Sequence, residues 1–103
     1  MRRFEFLSEP FLEAMNDIGR YGFEKYREQS FQARALSGDR SRGPLYRCQS
    51  ESILCHSNEH CQAYLRNEKH DHFGTRKHQL AAAAFNAMME FYFAALDDEK
   101  AGE

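Results

Sequence analysis

The chain has 103 residues, of which 29% are charged, 42% hydrophobic and 14% aromatic, with a formal net charge of -2. That length and mixture fit a single domain over 1–103 and argue against a disordered chain. The near balance of charge disfavours general nucleic-acid binding, and no run of about eighteen apolar residues is present to cross a membrane.

The opening MRRFEFLSEP places a glutamate where a signal peptide needs its apolar core, so it reads as mature protein, and the expected location is cytoplasmic, in a bacterium or an infected host cell. Cys48, Cys55 and Cys61 form no CxxC pair and read as reduced thiols. Ser8-Glu9-Pro10 marks a helix start: Ser8 can cap, and proline is tolerated where its missing donor is not needed. Phe11, Met15, Ile18 and Tyr21 then recur at three- and four-residue spacing. Gly19 and Gly22 weaken the middle of this segment and permit close backbone approach or a kink. The pattern resumes through Phe23, Tyr26, Phe31 and Leu36 and stops at Ser37-Gly38, so residues 8–36 form one helix or two. The loop from Gly38 to about Gln49 carries Arg40, Arg42 and Arg47 and reads as a solvated or anion-facing segment.

A second helix is expected from Glu51 to Arg66, with Ile53, Leu54, Ser57, Cys61, Tyr64 and Leu65 on its inward stripe. A polar turn over 67–77 follows. Thr75 can cap the last helix, whose apolar positions run through Leu80, Ala84, Phe85, Met88, Met89, Tyr92, Phe93 and Leu96. Ala81 to Ala84 and Ala87 would let another helix approach closely, and a polar tail begins at about 97. Nothing alternates in the manner of a strand, so the expected fold is all-α, a three- to four-helix bundle. Apolar residues cover more than one face of the last helix, which predicts a homo-oligomer, at least a dimer.

The segment HDHFGTRKH, residues 70–78, gathers imidazoles, a carboxylate and cations between two helical patterns. Glu68 and Asp71 offer the hard oxygens that Mg2+ or Mn2+ prefers, and Glu59 would complete a metal-binding carboxylate set if it points inward. Lys69, Arg76 and Lys77 can offset phosphate charge, and a helix opening at Thr75 adds backbone donors that favour an anion. The competing reading is a solvated charged hairpin. His56 and His60 share a helical face, but HxxxH alone is a weak zinc signal. Asn86 interrupts the apolar run AAAAFNAMMEFYF and must find partners if buried; Glu90 lies one turn beyond it. Lys25, flanked by Tyr21, Phe23 and Tyr26, can contact a phosphate while an aromatic ring stacks on a base.

The order YG-x-x-KY, a histidine-bearing helix, an acidic turn, a second histidine and AAxFNAxM resembles small phage and bacterial dATP/dGTP diphosphohydrolase-type proteins. More distantly it is similar to the MazG-like all-α nucleotide pyrophosphatases. The resemblance runs from Asp17 to Tyr92. It implies an oligomeric, magnesium-dependent helical enzyme that cleaves a nucleoside triphosphate to a monophosphate and pyrophosphate. Tyr21, Lys25, Tyr26, Arg76, Lys77 and Asn86 would bind substrate; Glu59, His60, Glu68, Asp71 and His78 would carry catalysis. Glu59 stands where the family commonly has arginine, Ser30-Phe31 replaces its asparagine-tryptophan pair, and the paired ExxE and ExxD helices are absent. The alternatives are a non-catalytic module for a nucleotide or signalling nucleotide, and a small helical protein-interaction or regulatory protein.

Overall fold

The computed structural model describes residues 5–38 and 50–102, and among these the chain is helical with no strand. Helix α1 spans Glu9–Tyr26, a 3-10 turn covers Arg27–Gln29, and α2 is the short helix Phe31–Leu36. Two long helices follow, α3 over Ser50–Leu65 and α4 over Lys77–Ala101. Of the expected all-α bundle of three to four helices, the described residues form the four-helix version. The arginine loop, with Arg40, Arg42, Arg47 and Cys48, lies outside the described residues.

Helix α1 begins as its sequence dictates: Ser8 Oγ accepts from the Phe11 N–H at 3.3 Å, with Pro10 in the first turn. The break within 8–36 comes later than the glycines. Gly19 and Gly22 both stay inside α1, and the helix ends where Arg27 takes a φ of 51°. Ser30 then restarts the chain as the α2 cap, its buried hydroxyl accepting from the Ala33 N–H at 3.2 Å. Gly19 instead provides close approach. A Cβ there would stand 2.9 Å from both the Phe85 ring and the Gln32 amide. That amide donates to the Gly19 carbonyl at 2.6 Å, tying α2 back onto α1.

The core forms where α4 crosses its neighbours. Ile53, Met89 and Phe93 are buried together, with Phe31, Phe85, Tyr92 and Leu96 packed around them. Phe31 meets the rings of Phe85, Tyr92 and Phe93 edge-on at 5.3–6.3 Å, the arrangement that ring quadrupoles favour. Ala81, Ala82 and Ala83 are all buried, and their small side chains let α3 come close enough for Ser57 Oγ to donate to the Ala83 carbonyl at 2.7 Å.

Two expectations about the inward stripes change. Leu54 and Leu65 of α3 are exposed, and Ala63 is buried instead. On α4, Leu80 and Met88 are also exposed, because the face that meets the bundle is the alanine–Asn86–Met89–Phe93 side. Helix α4 continues through the polar tail to Ala101. No described helix is long and apolar enough to cross a membrane.

Candidate functional site

The connection between α3 and α4 is a folded structure with its own internal order. Helix α3 closes with Asn67 in the left-handed region at φ 63°; the Glu68 N–H reaches the Ala63 carbonyl at 2.9 Å and the Asn67 N–H reaches Tyr64 at 3.0 Å. This crossed pair of bonds satisfies carbonyls that a helix end otherwise leaves open. The chain then folds on itself: the His70 N–H donates to the Thr75 carbonyl at 2.9 Å and the Gly74 N–H to His70 at 2.7 Å, with Gly74 at φ 66°. Thr75 caps α4, its Oγ1 accepting from the His78 N–H at 3.3 Å.

This fold turns the rings of HDHFGTRKH toward the bundle. His70 lies parallel to His60 of α3 with centroids 5.7 Å apart, Phe73 stacks on His78 at 4.3 Å, and His72 stacks on Tyr21 of α1 at 3.9 Å. A merely solvated hairpin would not bury His70 and Phe73 partway, as this one does. His78 is buried and fixed from both sides. The Thr75 hydroxyl bonds its Nδ1, and Nε2 faces Asp17 Oδ2 at 3.4 Å. The Asp17 carboxylate can only accept, so Nε2–H is the donor of that contact. His60 Nδ1 donates to Gln79 Oε1 at 2.7 Å. Burial first, then the neighbouring His60 and His78, holds the His70 imidazole below the ordinary histidine value of 6.5, with Asp71 pulling the other way. The His72 N–H, donating to His70 Nδ1 at 3.2 Å, suits the same neutral form.

Beside these rings lies a cavity of about 140 Å³. Tyr21, Tyr26, Phe31 and Phe85 supply aromatic walls, and His60, His70, Asn86, Ser30 and Gln32 supply polar groups. Asn86 is held by donation from Nδ2 to the Ala82 carbonyl, one turn back on α4, at 2.8 Å. At the tyrosine edge, Lys25 Nζ sits 5.7 Å from the Tyr21 ring centre and 5.2 Å from that of Tyr26. The two phenols raise its pKa, Tyr26 most, so Lys25 is a firm cation there.

Of the residues expected to form a site, Tyr21, Tyr26, His60 and Asn86 line this one cavity, and Lys25 stands over two of its rings. His78 lies outside the lining, stacked on Phe73 and facing Asp17. The remaining positions point elsewhere. Glu59 is exposed, with His56 Nδ1 3.5 Å away and the Cys55 thiol also facing it. Glu68 pairs with Arg66, and Asp71 is exposed. Arg76 lies over the Tyr64 ring at 3.8 Å and donates to the Tyr64 carbonyl at 3.1 Å, while Lys77 is exposed at the start of α4. The structure therefore gathers the ring-bearing half of the expected site and disperses its carboxylates. Among the described residues, no three His, Cys, Asp or Glu side chains are grouped as a metal ion would need.

Sequence reasoning marked His70 only as one of the imidazoles of the 70–78 segment, and did not single out Gln79, Phe73, Gln32 or Asp17 as site residues. Gln79 had a signal, since it is a polar residue two positions before an alanine run, on the face that becomes buried. Asp17 had none, because only the fold brings it to His78 across 61 positions.

No family model, no curated protein and no solved structure matches this chain.

Proposed function

We propose that this chain binds a (deoxy)nucleoside triphosphate, with the base in the aromatic cavity, and cleaves it to a monophosphate and pyrophosphate. The observation that carries the reading is the cavity itself: Tyr21, Tyr26, His60 and Asn86, marked independently by the sequence pattern, line one space between ring faces. Its volume of about 140 Å³ is well below the roughly 300–1,000 Å³ of whole-ligand pockets. It suits a single heterocycle, so the sugar and phosphates would extend over the rim. Lys25 stands at the tyrosine edge with its charge firmly held, the right group to meet an anion there.

Base recognition follows from the lining. Faces of Tyr21, Tyr26, Phe31 and Phe85 stack on any π system, while Asn86, Gln32 and Ser30 offer donors and acceptors to a base edge. His70, kept neutral by burial and its neighbours, is available as a proton acceptor, and the His60 ring lies parallel to it. Glu59, Glu68 and Asp71 do not form a prepared set for Mg2+ or Mn2+ in this arrangement. The same dispersal favours a second reading, a nucleotide-binding module without turnover.

The test measures pyrophosphate release and calorimetric binding side by side, over a panel of deoxynucleoside triphosphates with magnesium or manganese. Release that is lost in Asn86→Ala and Tyr26→Ala supports the hydrolase. Saturable binding with intact ligand assigns the second reading. Absence of binding across the panel removes both.

A further inference from the structure

Helix α4 is apolar on two sides, and the described residues of the bundle cover only one. The uncovered side carries Leu80, Ala84, Ala87, Met88, Phe91 and Ala95, which fall within an arc of about 100° at 3.6 residues per turn. Phe91 is 76% exposed, Met88 39% and Leu80 38%. A groove lined by Gly19, Phe23, Phe85 and Met88 continues this surface toward α1.

We infer that this stripe is the seat of a second copy of the same chain, with the two α4 helices packed antiparallel about a two-fold axis passing between Ala87 and Met88. The order of residues along the stripe is what selects this occupant. Under that axis Ala87 meets Met88, Ala84 meets Phe91, and Leu80 meets Ala95, so every large side chain faces a small one. An isologous contact requires such self-complementarity, and a partner of unrelated sequence does not. The same register brings Lys77 opposite Asp98, once at each end. Charge on α4 points the same way. Lys77 opens the helix with no acid in its first turn, and Asp97, Asp98 and Glu99 lie near its end, an order that opposes the helix's own dipole. An antiparallel copy reverses that opposition by placing each charged end beside its opposite.

The stripe follows roughly 30 Å of helix and would bury on the order of 1,000 Å² in total, near the lower limit for specific interfaces. Micromolar self-association is the matching expectation. Light scattering and sedimentation equilibrium across the micromolar range should give a concentration-dependent dimer. Phe91→Glu alters an exposed side chain, so helicity by circular dichroism should persist while the dissociation constant rises at least about 30-fold. Lys77→Asp and Asp98→Lys should each weaken the dimer about tenfold at low salt. The double variant Lys77→Asp/Asp98→Lys should return to within about threefold of the parent, since each charge then faces its opposite again. A monomeric mass at a hundred micromolar, a dimer indifferent to Phe91→Glu, or a double variant as weak as the singles would overturn the arrangement.

Discussion

Gly19 and Gly22 lie one helical turn apart in α1, and the structure assigns them opposite responses to the same substitution. At Gly22 a methyl group meets nothing within 4 Å, whereas at Gly19 it would stand 2.9 Å from a Phe85 ring carbon. Replacing a helical glycine by alanine ordinarily stabilises by about 1 kcal/mol, through lower chain entropy in the unfolded state. Gly22→Ala should show that gain. Gly19→Ala receives the same gain and then has to displace an aromatic ring packed on Phe31, with overpacking costs of roughly 1–3 kcal/mol. The net is a loss of about 1 kcal/mol, which leaves the two variants some 2 kcal/mol apart. For a domain of this size about 4–8 °C accompanies each kcal/mol, so their melting temperatures should differ by on the order of 10 °C. Thermal unfolding by circular dichroism reads this directly. If both variants melt above the parent, Gly19 is not a contact point between α1 and α4, and the close-approach reasoning fails.

Three further outcomes follow from the same geometry. Because folded His70 is harder to protonate than the unfolded residue, its stability contribution is complete above about pH 6.5 and is lost as pH falls through that value toward the folded one. Urea midpoints should therefore drop on acidification, and His70→Gln should flatten the slope; a midpoint that rises toward pH 5 contradicts the burial assigned to this ring. Phe93→Ala empties the centre of the core, at a cost of about 3–5 kcal/mol out of the 5–15 typical for a domain. Denaturant titration should show that loss, and a change under 1 kcal/mol would place Phe93 outside the core. At Asn67, where φ is positive, glycine should be neutral or slightly stabilising and valine should lose about 1–2 kcal/mol; equal stability of the two would argue against the left-handed helix end.

Much of the fold was legible because its signals are local. Ser8 with Pro10, the Thr75 cap and the long period of α4 each fix an element from a few neighbouring residues. The break between α1 and α2 was legible only as a choice, because glycine marks a possible bend without requiring one. Here Gly19 serves packing, Gly22 stands in open space, and Arg27 carries the turn. Exposure of Leu54, Leu65, Leu80 and Met88 was hidden by a different effect. Helical spacing shows which residues share a face, but when two faces are apolar it does not show which one the bundle takes. The site divides in the same way. Tyr21, Lys25, Tyr26, His60 and Asn86 sit on helices whose phase places them, whereas Glu68 and Asp71 sit in a connection whose left-handed residues decide where each side chain points. Gln79 and Asp17 become partners of His60 and His78 only through tertiary contact.

The cavity wall at His70 is held by ring faces and by two backbone bonds internal to the α3–α4 connection. No rung of α3 or α4 needs to open for that wall to move aside. Ring contacts forfeit roughly a quarter to a half of their attraction over a gap of about 0.5–1 Å, so a small rotation of the segment weakens them substantially. For the base proposed to bind there, the cost of entry would then be separate from the global unfolding free energy, on the nanosecond-to-microsecond clock of loop motion rather than that of helix rearrangement. Variants that weaken the core, such as Phe93→Ala, should leave the association rate of a bound aromatic nearly unchanged. Changes at His72 or Phe73, which pin the segment to Tyr21 and His78, should alter that rate while global stability moves little.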